Sequence, residues 1–444
     1  MKNLLRIGIN ALLDGGTGGV VVATAQLIAA LEHLNLIDGH GEEYTIISSG
    51  DNSEQLKSSV AEAQYAASIF SQVEMKPRRL KPLRRMLRPI RSSLTRWHND
   101  VVIRLPHSLG EKLLPSVRAQ ALLKNRELLQ NLECDVMHFP SQHFIRLSVP
   151  CVYNPHDLQH LHYPQFFTRA AIKAREKVYR AGCKCSETIA VGSQWVKQDI
   201  INHYKIKPEK IQVIPWAAPA RSNIQPSNKD ISDVREKYGL TAPFALYPAA
   251  TWQHKNHLRL IESVARLRAT KGILLPIVCT GQRTEFYKFI KHHLKKYDVE
   301  HLISFPGHVS ELELRTLNRI AQFVVIPTLF EAASGPLFEA WQDQTPAACA
   351  IVTSLPEQAA GSALLFDPFA VESITDALYK MNSDVRLREE LVERGTRRLN
   401  DFSWTRTARA YRAVYKQAAG RKLSDDERQL LNWDWMRKPQ RLEV

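Results

Sequence analysis

Two glutamates frame a segment in which almost every residue type has a chemical use: Pro327-Thr-Leu-Phe-Glu-Ala-Ala-Ser-Gly-Pro-Leu-Phe-Glu-Ala-Trp341. The apolar run before it, Phe323-Val-Val-Ile326, reads as a buried strand closed by Pro327. Pro336 suits the first helical position, where the N–H it lacks would have no intrahelical acceptor. Ser334 and Gly335 suit the turn just before it. The expected order is strand, short loop, helix start. A helix N-terminus offers unpaired N–H groups and roughly half a positive charge, a setting for a phosphate. Glu331 stands on the strand side and Glu339 one turn into the helix, and a carboxylate accepts paired hydrogen bonds from sugar hydroxyls. The loop is thus equipped to hold a diphosphate between two sugar-binding acids. Taken alone, such a pair more often marks a solvated helix with a cap.

Three other places carry suitable groups. Lys255 lies in the loop 251–256, beside the N-terminus of a helix expected from His257 to about Arg268; its ammonium is a point charge suited to phosphate, although a lone surface lysine is ordinarily just solvated. His156 comes just past an expected strand at 149–154, where open α/β sheets place ligands, although a lone histidine there is more often structural. Asp14-Gly-Gly-Thr-Gly-Gly19 separates a first strand at 4–9 from a helical run to about Leu34, and glycines let a backbone approach a ligand closely. That loop lacks the Lys-Ser/Thr of a triphosphate loop and fits the dinucleotide spacing poorly, so a plain tight turn is an equal reading.

The elements that must position these groups alternate strand and helix twice. Expected strands fall at 4–9, 44–48, 134–140, 149–154, 188–191 and 210–215, with Ser193 a natural cap for a helix toward Tyr204. Residues 217–230 are rich in Pro, Ser, Asn and Ala and form the best linker in the chain. The pattern then restarts at 244–249, 274–281, 302–307, 323–326 and 348–352. A chain of 444 residues holds two domains of ordinary size, each able to bury its own core.

Composition narrows the partners. Hydrophobic content of 44% and charged content of 24% are those of a soluble globular protein, but a formal net charge of +15 at pH 7 calls for an anionic partner. Six cysteines are spread thinly, and Cys183 and Cys185 have no second Cys/His pair to complete a zinc site, so reduced thiols are expected. The longest apolar candidate, 19–31, reads as too short and interrupted to reach the ~18 residues of a membrane helix. The N-terminus lacks a cleavage-like segment, and a cytoplasmic location is expected.

Taken together, Glu331 and Glu339 with Ser-Gly-Pro between them, Lys255-Asn256 and His156-Asp157 resemble the donor site of retaining glycosyltransferases of family 4. The resemblance covers about 120–418, is patchy over 1–50, and draws on the features after the helix start, Ser354-Leu-Pro-Glu-Gln358 and Ala363-Leu-Leu-Phe-Asp-Pro368. It implies an α/β fold of GT-B architecture: two facing Rossmann-like domains with a cleft between them and a C-terminal helix crossing back to the first. The domains would be 1–216 on the acceptor side, 217–230 as linker, 231–402 for the nucleotide sugar, 403–418 as crossover helix and 419–444 as an unassigned tail. It implies that His156 stands near the donor sugar and reacting centre, that Glu331 orients the transferred sugar and that Glu339 binds ribose hydroxyls. Gly15, Gly16 and Gly18 would border the donor phosphates, Lys255 would contact the diphosphate, and Val309 would border the nucleobase. Backbone groups of Ser334, Gly335, Pro336 and Leu337 would face the sugar or phosphates. Many relatives carry an Arg where this chain has Ala250, so the phosphate grip would be weaker here or supplied by Arg283. No Asp-x-Asp metal site is evident in a suitable place, which fits the family's metal independence, and no cofactor is expected beyond the nucleotide sugar.

The stretch least like that family runs from Lys76 to Trp97. Its nine Lys and Arg have no acidic residue among them, and Leu, Met, Ile and Trp are interleaved at roughly helical spacing, broken by Pro77, Pro82 and Pro89. Such a segment suits an anionic membrane surface, with a solvated insertion as the alternative; no nucleic-acid-binding module is recognisable. The expected activity is hexosyl transfer, mannose from GDP-mannose being the best match to the loop, onto a glycan or lipid-linked acceptor. The alternatives are a nucleotide-sugar epimerase of the same architecture and a glycoside hydrolase using the two glutamates.

Overall fold

A computed structural model of the protein describes residues 4–11, 18–38, 41–49, 71–75, 129, 131–219 and 225–434. The basic stretch 76–97 and the glycines Gly15 and Gly16 lie outside them. Among the described residues, two parallel sheets follow one another along the chain. The first holds seven strands in the order β3-β2-β1-β4-β5-β6-β7: β1 Leu5–Asn10, β2 Glu42–Ser49, β3 Ser71–Met75, β4 Val136–Phe139, β5 Cys151–Tyr153, β6 Thr188–Val191 and β7 Ile211–Val213. The second holds six in the order β10-β9-β8-β11-β12-β13: β8 Ala245–Pro248, β9 Ile277–Thr280, β10 Ile303–Gly307, β11 Phe323–Ile326, β12 Ala347–Ala350 and β13 Leu364–Phe366. The central strands are apolar without alternation; every residue of β4, β6, β9, β11 and β12 is buried, as strands covered by helices on both faces must be.

The architecture is the two-domain α/β arrangement expected. Four local readings change. Strand β3 pairs in parallel with β2 from Thr45↔Ser71 to Ser49↔Met75 and was not anticipated. The helix after β1 does not stop near Leu34 but runs Gly18–Asp38. Over Gly19–Asp38 it is long and apolar enough by length and composition to cross a membrane, contrary to the expectation, yet 67% of its most apolar window is buried in the fold. The segment read as linker ends in a helix, Asn228–Tyr238, whose start is set by a reciprocal cap between Ser227 and Asp230.

The chain then crosses back. Helix Trp404–Ala418 packs on the first domain and reaches its strand ends. Tyr415 Oη lies 2.8 Å from His138 Nδ1, His138 Nε2 2.7 Å from Asn154 Oδ1, and Asn154 Nδ2 donates to Tyr411 Oη at 2.7 Å. Arg412 pairs with both Asp38 and Glu42 at the end of the long helix and the start of β2. The tail, unassigned from sequence, contains helix Asp425–Leu431, tied back by Lys416 to Glu427.

Candidate active site

In open parallel sheets, ligands bind beyond the C-terminal ends of the strands, where the strand order reverses. In the second sheet that reversal lies between β8 and β11. The loop after β8 carries Lys255 and the loop after β11 carries Glu331, and the two meet there: Lys255 Nζ donates to Glu331 Oε2 at 2.7 Å, with side-chain exposures of 19% and 14%. Each partner is anchored by its own backbone. Tyr247 Oη donates to the Lys255 carbonyl at 2.7 Å. Asn256, in the left-handed region at φ 62°, donates to the carbonyls of Pro327 and Pro368, both at 2.9 Å. The Glu331 carbonyl accepts from the hydroxyls of Thr353 and Ser354, and its N–H donates to Thr353 Oγ1 at 3.1 Å.

Helix Gly335–Gln342 begins four residues beyond Glu331, with Pro336 in its first turn. Ser334 is the residue before it, 1% exposed, and makes no side-chain cap. Gln358 holds it instead, accepting the Ser334 N–H and donating to its carbonyl, both at 2.8 Å. The Ser334 N–H expected to face a ligand is therefore engaged, and its hydroxyl is the group without a partner among the described residues. Pro336 has no N–H, so the first-turn donors left open by helix geometry are Gly335 and Leu337. A Cβ added at Gly335 would meet nothing within 4 Å, which leaves open space directly over that helix start. Leu337 is fully buried and fixes the turn, and Glu339 is half-buried on the helix.

The loops after β8 and β9 are locked together. Thr251 N donates to the Gln282 carbonyl at 3.0 Å, and Thr284 donates from its N–H to Thr251 Oγ1 at 2.7 Å and from its hydroxyl to the Thr251 carbonyl at 2.6 Å. Arg283 does not join Lys255. Its guanidinium donates to the Phe305 carbonyl and lies 5.1 Å from the Tyr287 ring centroid, on the β10 side of the sheet. Val309 is buried just after β10 on that same side.

The first sheet reverses between β1 and β4. Gly15 and Gly16, between β1 and the long helix in sequence, lie outside the described residues, while Gly18 opens that helix. After β5 the chain turns through His156 in the left-handed region, φ 65°. Its Nε2 lies 3.0 Å from the carbonyl of Pro140, beyond β4, and its ring packs edge-on against Trp216 at 5.1 Å. Burial holds the imidazole down to about 4, so it is neutral at pH 7. The N–H must then sit on Nε2, donated to Pro140, and Nδ1 carries the lone pair. Burial also raises the Asp157 carboxyl, with the Glu331 charge adding to the rise.

Further side chains join the domains. Tyr163 Oη donates to the Leu329 carbonyl at 3.0 Å. Phe330 packs against His162, Tyr163 and Trp195 at 5.5, 6.1 and 5.7 Å. Glu357 accepts the N–H groups of Gln194 and Trp195, and Arg398 holds the carbonyls of Glu357 and Gln358 at 2.9 and 3.0 Å.

The family model of Glycosyltransferase Family 4 matches residues 17–218, and that of Glycosyl transferases group 1 matches residues 230–398. Over 264 residues the chain is 25% identical to the O-antigen chain mannosyltransferase B of Escherichia coli, spanning 58% of this chain and 69% of that protein. Over 227 residues it is 28% identical to the MMP alpha-(1->4)-mannosyltransferase of Mycolicibacterium hassiacum, spanning 50% of this chain and 52%, about half, of that protein. The structure of Anabaena Alr3699/HepE in complex with UDP and glucose superposes with a TM-score of 0.63 at 12% identity, over 93% of this chain and 100% of that one, a likeness of fold.

Proposed function

The chain belongs to the glycosyltransferases of family 4, with the group 1 glycosyl transferase domain as its second half, and on that premise we propose that it moves mannose from GDP-mannose to a glycan or lipid-linked acceptor, with retention of anomeric configuration, in surface-polysaccharide or glycolipid synthesis. The observation that carries this reading is the meeting of Lys255 and Glu331 at the reversal of the second sheet, beside an open helix start. Relatives named as mannosyltransferases support the choice of sugar.

In this reading the bond that breaks joins the anomeric carbon to the diphosphate, and negative charge develops on the departing phosphate. The Lys255 ammonium has three donors, so it can hold Glu331 and a phosphate oxygen together. The N–H groups of Gly335 and Leu337 and the helix dipole supply further stabilisation where charge appears. Glu331, with Oε2 held by Lys255, offers its other oxygen to the sugar hydroxyls. His156 offers Nδ1 as an acceptor near the anomeric carbon. Glu339 takes the ribose, and Val309 and Arg283 border the base. Lysine and helix N-terminus meet the charge, and no metal or cofactor is assigned to this chemistry. We further take the protein to be cytoplasmic and peripheral on the inner face of the cell membrane, with Lys76 to Trp97 as its contact with anionic lipid and no nucleic-acid partner; each basic residue near such a surface contributes roughly 1 kcal/mol.

Calorimetric titration of GDP and UDP into the purified protein, with Glu339→Ala beside it, tests the reading. Micromolar binding of GDP, weakened by the substitution and followed by mannosyl turnover, is expected. Binding of UDP alone would overturn the donor, and binding of neither would overturn the site. Flotation with anionic and neutral vesicles, with and without residues 76–97, tests the membrane contact; equal flotation on both lipids would remove it.

A further inference from the structure

Outside the groups assigned to sugar transfer, two histidines converge on one buried carboxylate. His162 ends the short helix Gln159–His162, while Asp199 and His203 lie one turn apart on helix Gln194–Tyr204. His162 Nε2 is 2.8 Å and His203 Nδ1 3.0 Å from the same oxygen, Asp199 Oδ1. The second oxygen, Oδ2, has no hydrogen-bond partner among the described residues, although Asp199 is only 5% exposed. A buried carboxylate oxygen without a partner is costly and asks for a cation or a donor. One ligand atom from each of the three side chains can be chosen so that all lie within 4.8 Å of one another.

We propose that His162, Asp199 and His203 form a binding site for a divalent transition-metal cation. Two imidazole nitrogens and one carboxylate are the donor set of zinc, cobalt, nickel and ferrous sites, whereas calcium and magnesium prefer oxygens alone. Tetrahedral bonds of ~2.0–2.1 Å set ligand atoms about 3.3 Å apart, so the two nitrogen–oxygen spacings would open by a few tenths of an ångström while the remaining pair, within 4.8 Å, settles to the same distance. The remaining position faces water, since the His162 and His203 side chains are 29% and 39% exposed. On loading, each imidazole gives the metal the lone pair of one nitrogen and keeps its N–H on the other, so the contacts of His162 Nε2 to Asp199 Oδ1 and of His203 Nδ1 to Asp199 Oδ1 and the Asp199 carbonyl give way to metal–nitrogen bonds.

The site would stitch the turn 159–162 to the helix Gln194–Tyr204. The His162 ring also lies 5.5 Å from Phe330, the neighbour of Glu331. A cation would therefore brace the face of the first domain on which Phe330 rests and from which Tyr163 reaches Leu329. None of the three ligands belongs to the sugar-transfer chemistry above, so this inference stands or falls separately from it.

The test is titration of chelator-treated full-length protein with Co²⁺ by absorption and with Zn²⁺ by calorimetry, alongside His162→Gln, His203→Gln and Asp199→Asn. The expected result is one equivalent bound, with ligand-field bands and no thiolate-to-cobalt band, a Zn²⁺-dependent rise in Tm, and at least tenfold weaker binding in each histidine variant. The histidine variants keep the test decisive if Asp199→Asn fails to fold. No stoichiometric binding by the wild-type protein, binding unchanged in His162→Gln and His203→Gln, or a thiolate band would overturn the proposal.

Discussion

Glu357 and Trp195 belong to different domains, yet the Glu357 Oε1 oxygen accepts the Trp195 N–H at 2.6 Å while Oε2 accepts that of Gln194 at 2.9 Å. With Ser193 Oγ accepting from Val196 N at 3.2 Å, the first three N–H groups of helix Gln194–Tyr204 are covered, two of them from the other domain. A carboxylate at a helix N-terminus combines charge-assisted hydrogen bonds with a favourable dipole. The domains are therefore clamped by a cap as well as by the aromatic contacts of Phe330.

Removing that clamp should open the cleft more than it unfolds the protein. Loss of a cap costs about 1–2 kcal/mol, and the freed N–H groups can turn to water once the domains part. Glu357→Ala is expected to raise the donor KM several-fold and enlarge the scattering radius of gyration, with Glu357→Gln milder because its carbonyl still accepts. Unchanged KM and scattering would show that the clamp plays no part in closure.

Lys255 and Glu331 act as a pair, so their substitutions should not add. Lys255→Ala removes the charge facing the departing phosphate, an effect of roughly 10²-fold on kcat, and leaves Glu331 without its counter-ion. Glu331→Gln keeps the shape and should lower kcat with little change in nucleotide affinity. In the double variant the loss is expected to be smaller than the product of the single losses. Multiplicative losses in a full kinetic cycle would mean that the ion pair is incidental.

Acid should destabilise the fold through histidines that burial keeps neutral. His138, fully buried, is held down to about 4, and His257, 1% exposed, to about 3, each from an ordinary 6.5. Burial lowers His156 and His254 in the same direction. The unfolded chain takes up these protons as pH falls below 6.5 while the folded chain refuses them, so stability is level above 6.5 and falls below it. The slope is about 1.4 kcal/mol per pH unit for each fully buried histidine, until the folded pKa is reached. Both ring nitrogens of His257 are unpartnered among the described residues, so His257→Phe should flatten the fall measured by urea melts between pH 6.5 and 4.5. An unchanged slope would count against this account.

Much of the site could be read from the chain because each group directly follows a strand. His156, Lys255 and Glu331 are marked by the end of an apolar run and the start of a helix, and parallel sheets put such ends on one edge. What brings Lys255 to Glu331 is the reversal of strand order between β8 and β11, which sequence spacing does not encode. Glu357 and Gln358 fall within the stretch that resembles the family, but nothing in that stretch says what either side chain holds. A carboxylate that caps a helix of another domain, and an amide that holds both backbone groups of Ser334, leave no local pattern. Strand β3 escaped because Ser71–Met75 has too few apolar residues to announce a buried strand. The four-residue step from Asp199 to His203 was a legible signal, but its third member, His162, is joined to it only by tertiary packing.

Gly281 is the last position where geometry makes a firm demand. It follows β9 with φ 108°, a conformation that side chains rarely adopt, and a Cβ there would stand 2.7 Å from the Ala250 nitrogen and 2.8 Å from the Ala249 carbonyl carbon. Those atoms are backbone and begin the loop that carries Lys255, so they cannot swing away as a side chain could. The same turn donates Gly281 N–H to the Gly307 carbonyl at 2.7 Å, which ties it to the β10 side. Gly281→Ala therefore has to push the 249–256 loop outward or break that bond, and backbone strain of this kind costs on the order of 1–3 kcal/mol. We expect a lower Tm together with a loss of nucleotide affinity larger than the stability change alone would give, since Lys255 moves with the loop. Affinity measured well below Tm separates the two effects. Wild-type affinity in a destabilised Gly281→Ala protein would show that the loop absorbs the strain without moving Lys255.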